Sequence, residues 1–316
     1  EVINRIPGIS INDNGQIKYK DKPISHLYIN GIDLLEGRYN IATRGIPADA
    51  VKEIDVLTKH NHERIDIGRT DSEKVSLNLT IKENQNLVFG SIKAEAGLPL
   101  VTGNLDATPI YIKNSFQNIS SLKTNNIGTS LKNIGSDLSL DASEFFRLQT
   151  PEINFISPTN VNGVNLSNKN WLNNDSYAFT TDALHKVTDS TLVKWNINYA
   201  NELSRVSKTN NTIYFFYTYS TYINNKSQNK LRGQNFQASS YQEINKRNFY
   251  LKNKTSFLYS DNEGIENNTL NIKNIQAYFN KYNTKFSNTT LLKTLVRKKI
   301  FYKADFCFNP IFKMKN

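Results

Sequence analysis

His60 and His62 have the spacing of a metal-binding motif, because a His-x-His sequence in an extended segment places both imidazoles on one side of the chain. Zinc requires three or four ligands in a protein, and only Glu63 or Asp66 lies close enough in sequence to add one. We therefore predict a polar loop at this position, with no bound metal and no cofactor.

The carboxylates Asp49, Glu53 and Asp55 are close enough in sequence to suggest acid–base chemistry. Asp49, however, follows Pro47 in a predicted first helical turn, where the helix dipole favours a negative charge. The other two carboxylates fit a solvated face. Phosphate-loop, dinucleotide-binding and nucleophile-elbow patterns are absent from the sequence, and the single Cys307 excludes an internal disulfide and a thiolate metal cluster. The sequence predicts a protein that is not an enzyme.

The chain carries 39 Lys and Arg against 28 Asp and Glu, a net charge of +11 over 316 residues. These basic side chains are scattered, and the densest run is KTLVRKKIFYK at 293–303. Nucleic-acid binding requires a clustered basic footprint, so we predict no nucleic-acid partner. We interpret the basic run as a strand end near anionic lipid headgroups.

The first 85 residues combine short strands with one helix start. We predict a hairpin of 9–11 and 16–20 around the turn sequence Asp13-Asn14-Gly15, and strands at 25–30, 54–57 and 75–81. Pro47 begins a short predicted helix that precedes the strand at 54–57. This pattern is typical of a small α+β domain.

After Asn86 the hydrophobic period becomes two, as where Val193, Trp195 and Ile197 alternate with polar residues. We predict strands at 87–97, 191–203, 212–219, 248–258, 269–279 and 299–308, with a long linker at 136–174. A soluble β-sandwich gives the same alternation. The strand lengths, which suit a tilted membrane strand, and the aromatic residues near the strand ends favour a membrane barrel.

Four blocks of the first domain are similar to a known family. These are IPGI at 6–9, DNGQI at 13–17, YINGIDLLEGRY at 28–39, and IPADAV at 46–51 with IDVL at 54–57. In this order and spacing they resemble the plug domain of TonB-dependent outer-membrane receptors, in the branch whose plug often follows a carboxypeptidase-regulatory-like domain. The resemblance assigns a structural role to a plug motif of Pro7, Gly8, Asn30, Gly31, Asp33, Leu34, Leu35, Gly37, Arg38, Tyr39, Pro47, Ala48, Asp49 and Ala50.

The resemblance implies a small α+β plug domain at 1–85, with a clipped N-terminus, and the N-terminal portion of an antiparallel transmembrane β-barrel at 86–316. The family's barrel has about 22 strands around the plug. Here the chain after the plug provides only about ten strands, at about 9 to 11 residues for each crossing plus loops. We therefore expect an incomplete barrel, which is a fragment, a truncated gene product or a chain completed by another polypeptide, since open sheet edges are costly in lipid.

The resemblance also implies function. The intact receptor would lie in the Gram-negative outer membrane and import a nutrient such as a metal chelate, an oligosaccharide or a peptide. Its partners would be TonB with the inner-membrane energising complex, outer-membrane lipid and a surface lipoprotein. An interior containing Lys93, Glu95, Lys194, Asn196 and Asn198 would be wet and polar. The alternative is a secreted or surface β-rich binding module, such as an adhesin without transport, which predicts a self-contained sandwich.

Overall fold

The computed structural model of the chain describes residues 7–11, 17–33, 46, 48–82, 86–98, 102–131, 173–271, 273–296 and 299–306. Its strands are β1 (Ile9–Ile11), β2 (Ile17–Tyr19), β3 (Lys22–Pro23), β4 (His26–Ile29), β5 (Val51–Leu57), β6 (Ser76–Ile81), β7 (Leu87–Gly97), β8 (Thr102–Ile112), β9 (Phe116–Asn125), β10 (Asn173–Thr188), β11 (Thr191–Phe215), β12 (Ser220–Asn245), β13 (Phe249–Leu270), β14 (Lys273–Val296) and β15 (Lys299–Phe306). Two single 3₁₀ turns lie at Ala48–Ala50 and Arg64–Asp66.

These strands form three sheets. Two are three-stranded, with the orders β1-β2-β3 and β4-β6-β5, and the third has nine strands in the order β15-β14-β13-β12-β11-β10-β9-β8-β7. All neighbouring strands are antiparallel except β4 and β6. We call the described residues up to Lys82 the N-terminal unit, and strands β7 to β15 the large sheet. Among the described residues, no helix has the length and apolarity required to cross a membrane.

The predicted short helix after Pro47 is a single 3₁₀ turn, and the strand predicted at 54–57 already begins at Val51. The reason is pairing with β6, where Val51 lies opposite Ile81 and Glu53 lies opposite Thr80. These ladder contacts take up the backbone groups that a longer helix would have used. The predicted strands at 9–11, 25–30 and 75–81 are present with small shifts of their ends.

The strand predicted at 87–97 coincides with β7, but other strands of the large sheet are much longer than the sequence predicts, reaching 25 residues in β11 and 26 in β12. The predicted strand at 191–203 and the first half of the one at 212–219 are both part of β11, and the second half is the turn at 216–219. The predicted strand at 269–279 instead crosses the turn between β13 and β14, where Asn271 has a φ of 53°. The break predicted between 203 and 212 was wrong because the mostly polar residues of 204–211 show no apolar alternation, although they pair with β12 throughout.

The N-terminal unit packs against one face of the large sheet, which we call the inner face. Leu27 and Leu77 of the unit belong to the same buried cluster as Ile110, Ile112 and Leu184 of the large sheet. Each such fully buried aliphatic side chain contributes about 1.5 to 3 kcal/mol relative to an exposed one. The opposite face of the large sheet is the outer face.

Gly264 of β13 provides a sharp test of the β13–β14 packing, because Phe279 lies directly opposite it. A Cβ atom at Gly264 would overlap the Phe279 ring and would lie 2.7 Å from Cδ2 of Leu231. We expect Gly264→Ala to lower the free energy of unfolding by about 1 to 3 kcal/mol, measured by denaturant titration. Gly103→Ala is the matched control, since the nearest atom to its Cβ would be 3.7 Å away. Equal stability of the two variants would contradict this packing.

Candidate functional site

Five side chains meet where the N-terminal unit contacts the large sheet, and we call them the histidine cluster: His26, Tyr28, His60, His62 and Glu243. His26 and Tyr28 are neighbours on one face of β4, because residues two apart in a strand point the same way. His60 and His62 lie in the loop that follows β5, and Glu243 lies near the end of β12. The cluster therefore joins three segments that are distant in sequence.

Tyr28 and Glu243 link the cluster through hydrogen bonds. The hydroxyl of Tyr28 lies 3.1 Å from Nε2 of His60 and 2.8 Å from Nδ1 of His62. On its other side, Nε2 of His62 lies 3.0 Å from Oε1 of Glu243. The imidazoles of His26 and His62 are stacked, with ring centroids 5.0 Å apart. The result is a continuous chain of polar atoms from His60 to a strand of the large sheet.

Burial and neighbouring charge change the pKa values of this cluster in different directions. Burial, followed by the charges of His62 and His26, lowers the pKa of His60 to about 4. For His62, burial also lowers the pKa, but the hydrogen bond and the charge of Glu243 outweigh it, so that the pKa is raised overall. Burial and then the charge of Asp33 raise the pKa of Tyr28, which therefore stays a neutral hydroxyl.

Backbone contacts hold the loop of His62 on the large sheet. Asn245 of β12 donates from Nδ2 to the carbonyl oxygen of His62 at 2.7 Å and accepts from the backbone N–H of Arg64, also at 2.7 Å. The guanidinium of Arg64 donates to the carbonyl oxygen of Asp189 at 3.0 Å. These contacts fix the loop at the end of the sheet where the β10–β11 and β12–β13 turns lie.

An ion-pair network continues this attachment onto β14. Nζ of Lys293 pairs with the carboxylate of Glu63 and lies 3.3 Å from Oδ2 of Asp66. The lysine side chain is 12% exposed. Because the pairs are largely shielded from solvent, loss of one partner would leave a charge without compensation in a poorly hydrated place, which is costly.

The predicted polar loop at His60 and His62 is present, and in the described part of the chain no group of three or more His, Cys, Asp and Glu side chains is arranged to hold a metal ion. The sequence did not predict the participation of His26, Tyr28 or Glu243. The alternation of His26 and Tyr28 in β4 is a local signal for a shared face, but nothing in the sequence connects Glu243 to them.

Several plug-motif residues lie at backbone positions that require special geometry. Asn30 and Gly31 have φ values of 52° and 76°, and Gly8 has 83°. The Asn30 side chain accepts from the N–H of Ile81 at 2.9 Å, and the N–H of Gly31 donates to Oδ1 of Asn78 at 3.0 Å. These contacts hold the turn that follows β4.

The other motif residues are placed as follows. Pro7 lies in the turn before β1, Asp33 lies 2.9 Å from Nδ1 of His26, and Ala48, Asp49 and Ala50 form the 3₁₀ turn before β5. Leu34, Leu35, Gly37, Arg38, Tyr39 and Pro47 lie outside the described residues. Of the remaining carboxylates considered for acid–base chemistry, Glu53 is exposed and Asp55 accepts from Asn78 at 3.2 Å.

The inner face of the large sheet is polar although it is buried. In β10, Asn174, Thr180 and Asp182 are no more than 3% exposed and share this face with the apolar Leu184. Buried polar side chains of the neighbouring strands on this face include Gln117, Ser121, Lys194, Asn196, Asn198, Glu202, Ser239, Lys254, Ser260, Ser287 and Thr289. The predicted polar interior residues Lys93 and Glu95 also lie on this face, paired with each other at 2.8 Å.

One row of the outer face is apolar and partly exposed. Leu122, Phe179, Tyr199, Phe236 and Tyr259 are directly paired neighbours that form one row across β9 to β13. The first two of them are 47% and 40% exposed. Adjacent strands therefore present a continuous belt of large apolar side chains to the surroundings.

The row that contains Tyr199 and the row that contains Thr191 are the two limits of a region that we call the uncharged band. Within these limits, the outer-face positions of β10 to β14 hold no Asp, Glu, Lys or Arg. The band comprises alternate residues of 179–187, 191–199, 236–244, 251–259 and 284–292, with His185 as its one titratable imidazole. Eight residues of strand span about 26 Å, or about 20 Å of height at a tilt of about 40°. Charged outer-face pairs, Arg205 with Asp175 and Arg232 with Glu263, begin just beyond it.

A cavity of about 1770 Å³ lies toward the opposite end of the strands from the histidine cluster. Its walls include Tyr177, Arg232, Glu263 and Tyr278. Arg232 and Glu263 lie 3.5 Å apart, so these two opposite charges in the wall compensate each other.

No protein-family model and no curated protein matches the chain. Solved structures of outer-membrane receptors are similar to it. They include the ferric yersiniabactin uptake receptor FyuA from Yersinia pestis, at 8% identity and a TM-score of 0.25, with 92% of this chain and 58% of that chain covered. The alcaligin outer-membrane receptor FauA from Bordetella pertussis has 10% identity and a TM-score of 0.20, with 94% of this chain and 57% of that chain covered. The ferric-catecholate import receptor Fiu from E. coli K12 has 8% identity and a TM-score of 0.22, with 92% of this chain and 64% of that chain covered.

The chain thus spans about three fifths of these three receptors. At TM-scores of 0.20 to 0.25 the likeness carries no argument about activity, substrate or partners.

Asn30 allows a test of the structural role of the plug motif. Asn30→Gly keeps the positive φ but removes the side-chain acceptor for Ile81, whereas Asn30→Ala also adds backbone strain. We expect losses in the free energy of unfolding of about 1 to 3 kcal/mol for the glycine variant and a larger loss for the alanine variant, measured by denaturant titration. If both variants matched the wild type, the motif would have no structural role at this position.

Proposed function

We propose that this chain is part of a TonB-dependent outer-membrane receptor, with a plug domain at 1–85 and the N-terminal portion of the barrel at 86–316. The receptor imports a scarce nutrient, such as a metal chelate, an oligosaccharide or a peptide. The observation that carries the proposal is the uncharged band on the outer face of a sheet whose inner face is buried and polar.

The polarity of the two faces distinguishes a barrel wall from a soluble sandwich. A sandwich buries its apolar face against a second sheet and exposes its polar face to water. In the large sheet, Phe179, Trp195 and Ile197 are about two-fifths exposed, whereas Lys194 and Asn196 on the inner face are 7% and 6% exposed. This is the arrangement of a membrane barrel, where alternate residues face lipid and lumen.

Charged residues are distributed as lipid contact requires. An Arg or Lys on the lipid face costs about 2 to 4 kcal/mol at the midplane of the bilayer. At the level of the uncharged band, the charged residues lie on the inner face: Asp182, Lys186, Lys194, Glu243, Lys252, Lys254 and Lys285. The outer belt of aromatic side chains would contact outer-membrane lipid, and the adjoining charged pairs would lie at its headgroups.

The position of the N-terminal unit on the inner face supports its role as a plug. Its contacts near the histidine cluster are hydrogen bonds and ion pairs, which water can replace when the unit moves. In the proposed mechanism TonB, driven by the inner-membrane complex, pulls on the plug until substrate can pass, and a surface lipoprotein assists capture. Strands β7 and β15, at the ends of the nine-stranded order, would pair with the rest of the barrel.

A charge placed on the uncharged band tests the proposal. Ile197→Arg places the charge on the outer face within the band, and Thr209→Arg places it on the same face of the same strand beyond the band. We expect the first variant to lose about 2 to 4 kcal/mol of folding free energy in lipid vesicles and the second to be near wild type. The measurement is denaturant titration of the chain folded into vesicles.

Trp195 reports lipid contact directly. With Trp171→Phe removing the second tryptophan, lipids brominated in their acyl chains should quench the Trp195 fluorescence. A chain that is monodisperse without detergent, unquenched by brominated lipid and equally stable with either arginine would contradict the proposal and support the adhesin-like alternative.

A further inference from the structure

The histidine cluster forms a direct titratable connection between the N-terminal unit and the large sheet. We propose that His62 and Glu243 form a proton-dependent latch, in which the protonated imidazole holds the N-terminal unit on the large sheet and loss of its proton loosens the contact. The inference goes beyond the proposed transport function. It requires only the contact that the structure shows between the two parts, not a membrane.

The protonated state satisfies the whole chain of hydrogen bonds. Imidazolium His62 donates from Nε2 to the Glu243 carboxylate and from Nδ1 to the Tyr28 oxygen, across 3.0 Å and 2.8 Å. The Tyr28 hydroxyl then donates to Nε2 of a neutral His60 at 3.1 Å. Every donor has one acceptor, and the bond to Glu243 is assisted by both charges.

Loss of the proton reverses part of this chain. Neutral His62 that still donates to Glu243 from Nε2 has a lone pair on Nδ1, which must accept from the Tyr28 hydroxyl. His60 then no longer accepts a hydrogen bond from the Tyr28 hydroxyl. It keeps a hydrogen bond to Tyr28 only in the tautomer that donates from Nε2. The contact with Glu243 also loses the attraction between opposite charges, so the neutral state binds the large sheet less strongly.

The groups around His62 come from four segments. They are His26 and Tyr28 of β4 with Asp33 after it, His60 of the same loop, Glu243 of β12 and Lys252 of β13. The two carboxylates favour the imidazolium, and Lys252 opposes it. Lys293 with Glu63 and Asp66 provides a second attachment nearby that does not depend on an imidazole.

The direction of the pH dependence follows from the two histidines. The pKa of His62 is raised above its ordinary value of 6.5 in the docked state, so its contribution is complete below that value and is lost as the pH rises through the raised pKa. The pKa of His60 is lowered to about 4, so its neutral form favours docking above 6.5 and this contribution is lost as the pH falls toward 4. The N-terminal unit is therefore held most strongly at a pH between the acid loss of the His60 contribution and the alkaline loss of the His62 contribution.

Amide hydrogen exchange in β4 and β6 measures docking, with exchange times corrected for the intrinsic effect of pH. In the wild type we expect protection to fall about tenfold as the pH rises from about 6.5 to 9. His62→Gln keeps an amide donor for Glu243 but cannot titrate, so its protection should be lower and should show no alkaline fall. His60→Gln, the matched control, should keep the fall in protection at alkaline pH and lose only the fall in protection at acid pH.

Histidine-ring NMR gives a readout that a merely structural role would not move. The titration of His62 should have a midpoint above 6.5 in the wild type and a lower midpoint in Glu243→Gln. An alkaline fall that persists in His62→Gln, or a His62 midpoint unchanged by Glu243→Gln, would overturn the latch. Far-UV circular dichroism shows whether each variant keeps its strands. If His62→Gln unfolds, His62→Asn allows the same comparison. The result is independent of lipid quenching of Trp195, so failure of the latch and failure of the proposed function can be told apart.

Discussion

The large sheet buries its polar side chains and exposes its aromatic ones, and the rest of the structure depends on this reversal. Contact with water is unfavourable for such an arrangement, because the partly exposed row of Phe179, Tyr199 and Phe236 leaves apolar surface unburied. A lipid environment removes this cost but requires that every backbone N–H and C=O group be paired within the protein. Long uninterrupted antiparallel ladders meet this requirement, and the 25 consecutive pairs between β11 and β12 are the longest example.

A polar inner face determines how the N-terminal unit is attached. Near β8 and β10 the unit has apolar contacts, through Ile110, Ile112 and Leu184. Toward β12 and β14 the attachment consists of the histidine cluster and the pairs of Lys293. Apolar burial does not depend on protonation, whereas the histidine cluster and the ion pairs do and can exchange their partners for water. The attachment is therefore mainly apolar on one side and polar on the other.

Local signals in the sequence were reliable where one face of an element is apolar. The alternation of Leu87–Gly97 and the turn residues Asn30-Gly31 were recognisable because β-strand period and positive φ are properties of a few neighbouring residues. The predictions were wrong at 204–211, where Val206 is the one apolar residue, and at 269–279, where apolar residues on both sides of the turn at Asn271 resemble one alternating strand. There the ends of strands are set by their partners across the sheet, and not by local composition.

The amino-acid sequence by itself determined that the chain after Asn86 forms antiparallel strands with two different faces, and that the His60–His62 loop is polar, whereas the α-helical part of the predicted α+β domain is only a 3₁₀ turn in the described residues. Only the tertiary structure decided which residues meet: it brought Glu243 to His62 across 181 positions of sequence and aligned Leu122, Phe179 and Tyr259 into one row. The physical reason is that periodicity records which side of a strand a residue occupies. The register between strands, which selects its neighbours, is fixed by hydrogen-bonded pairing over the whole sheet.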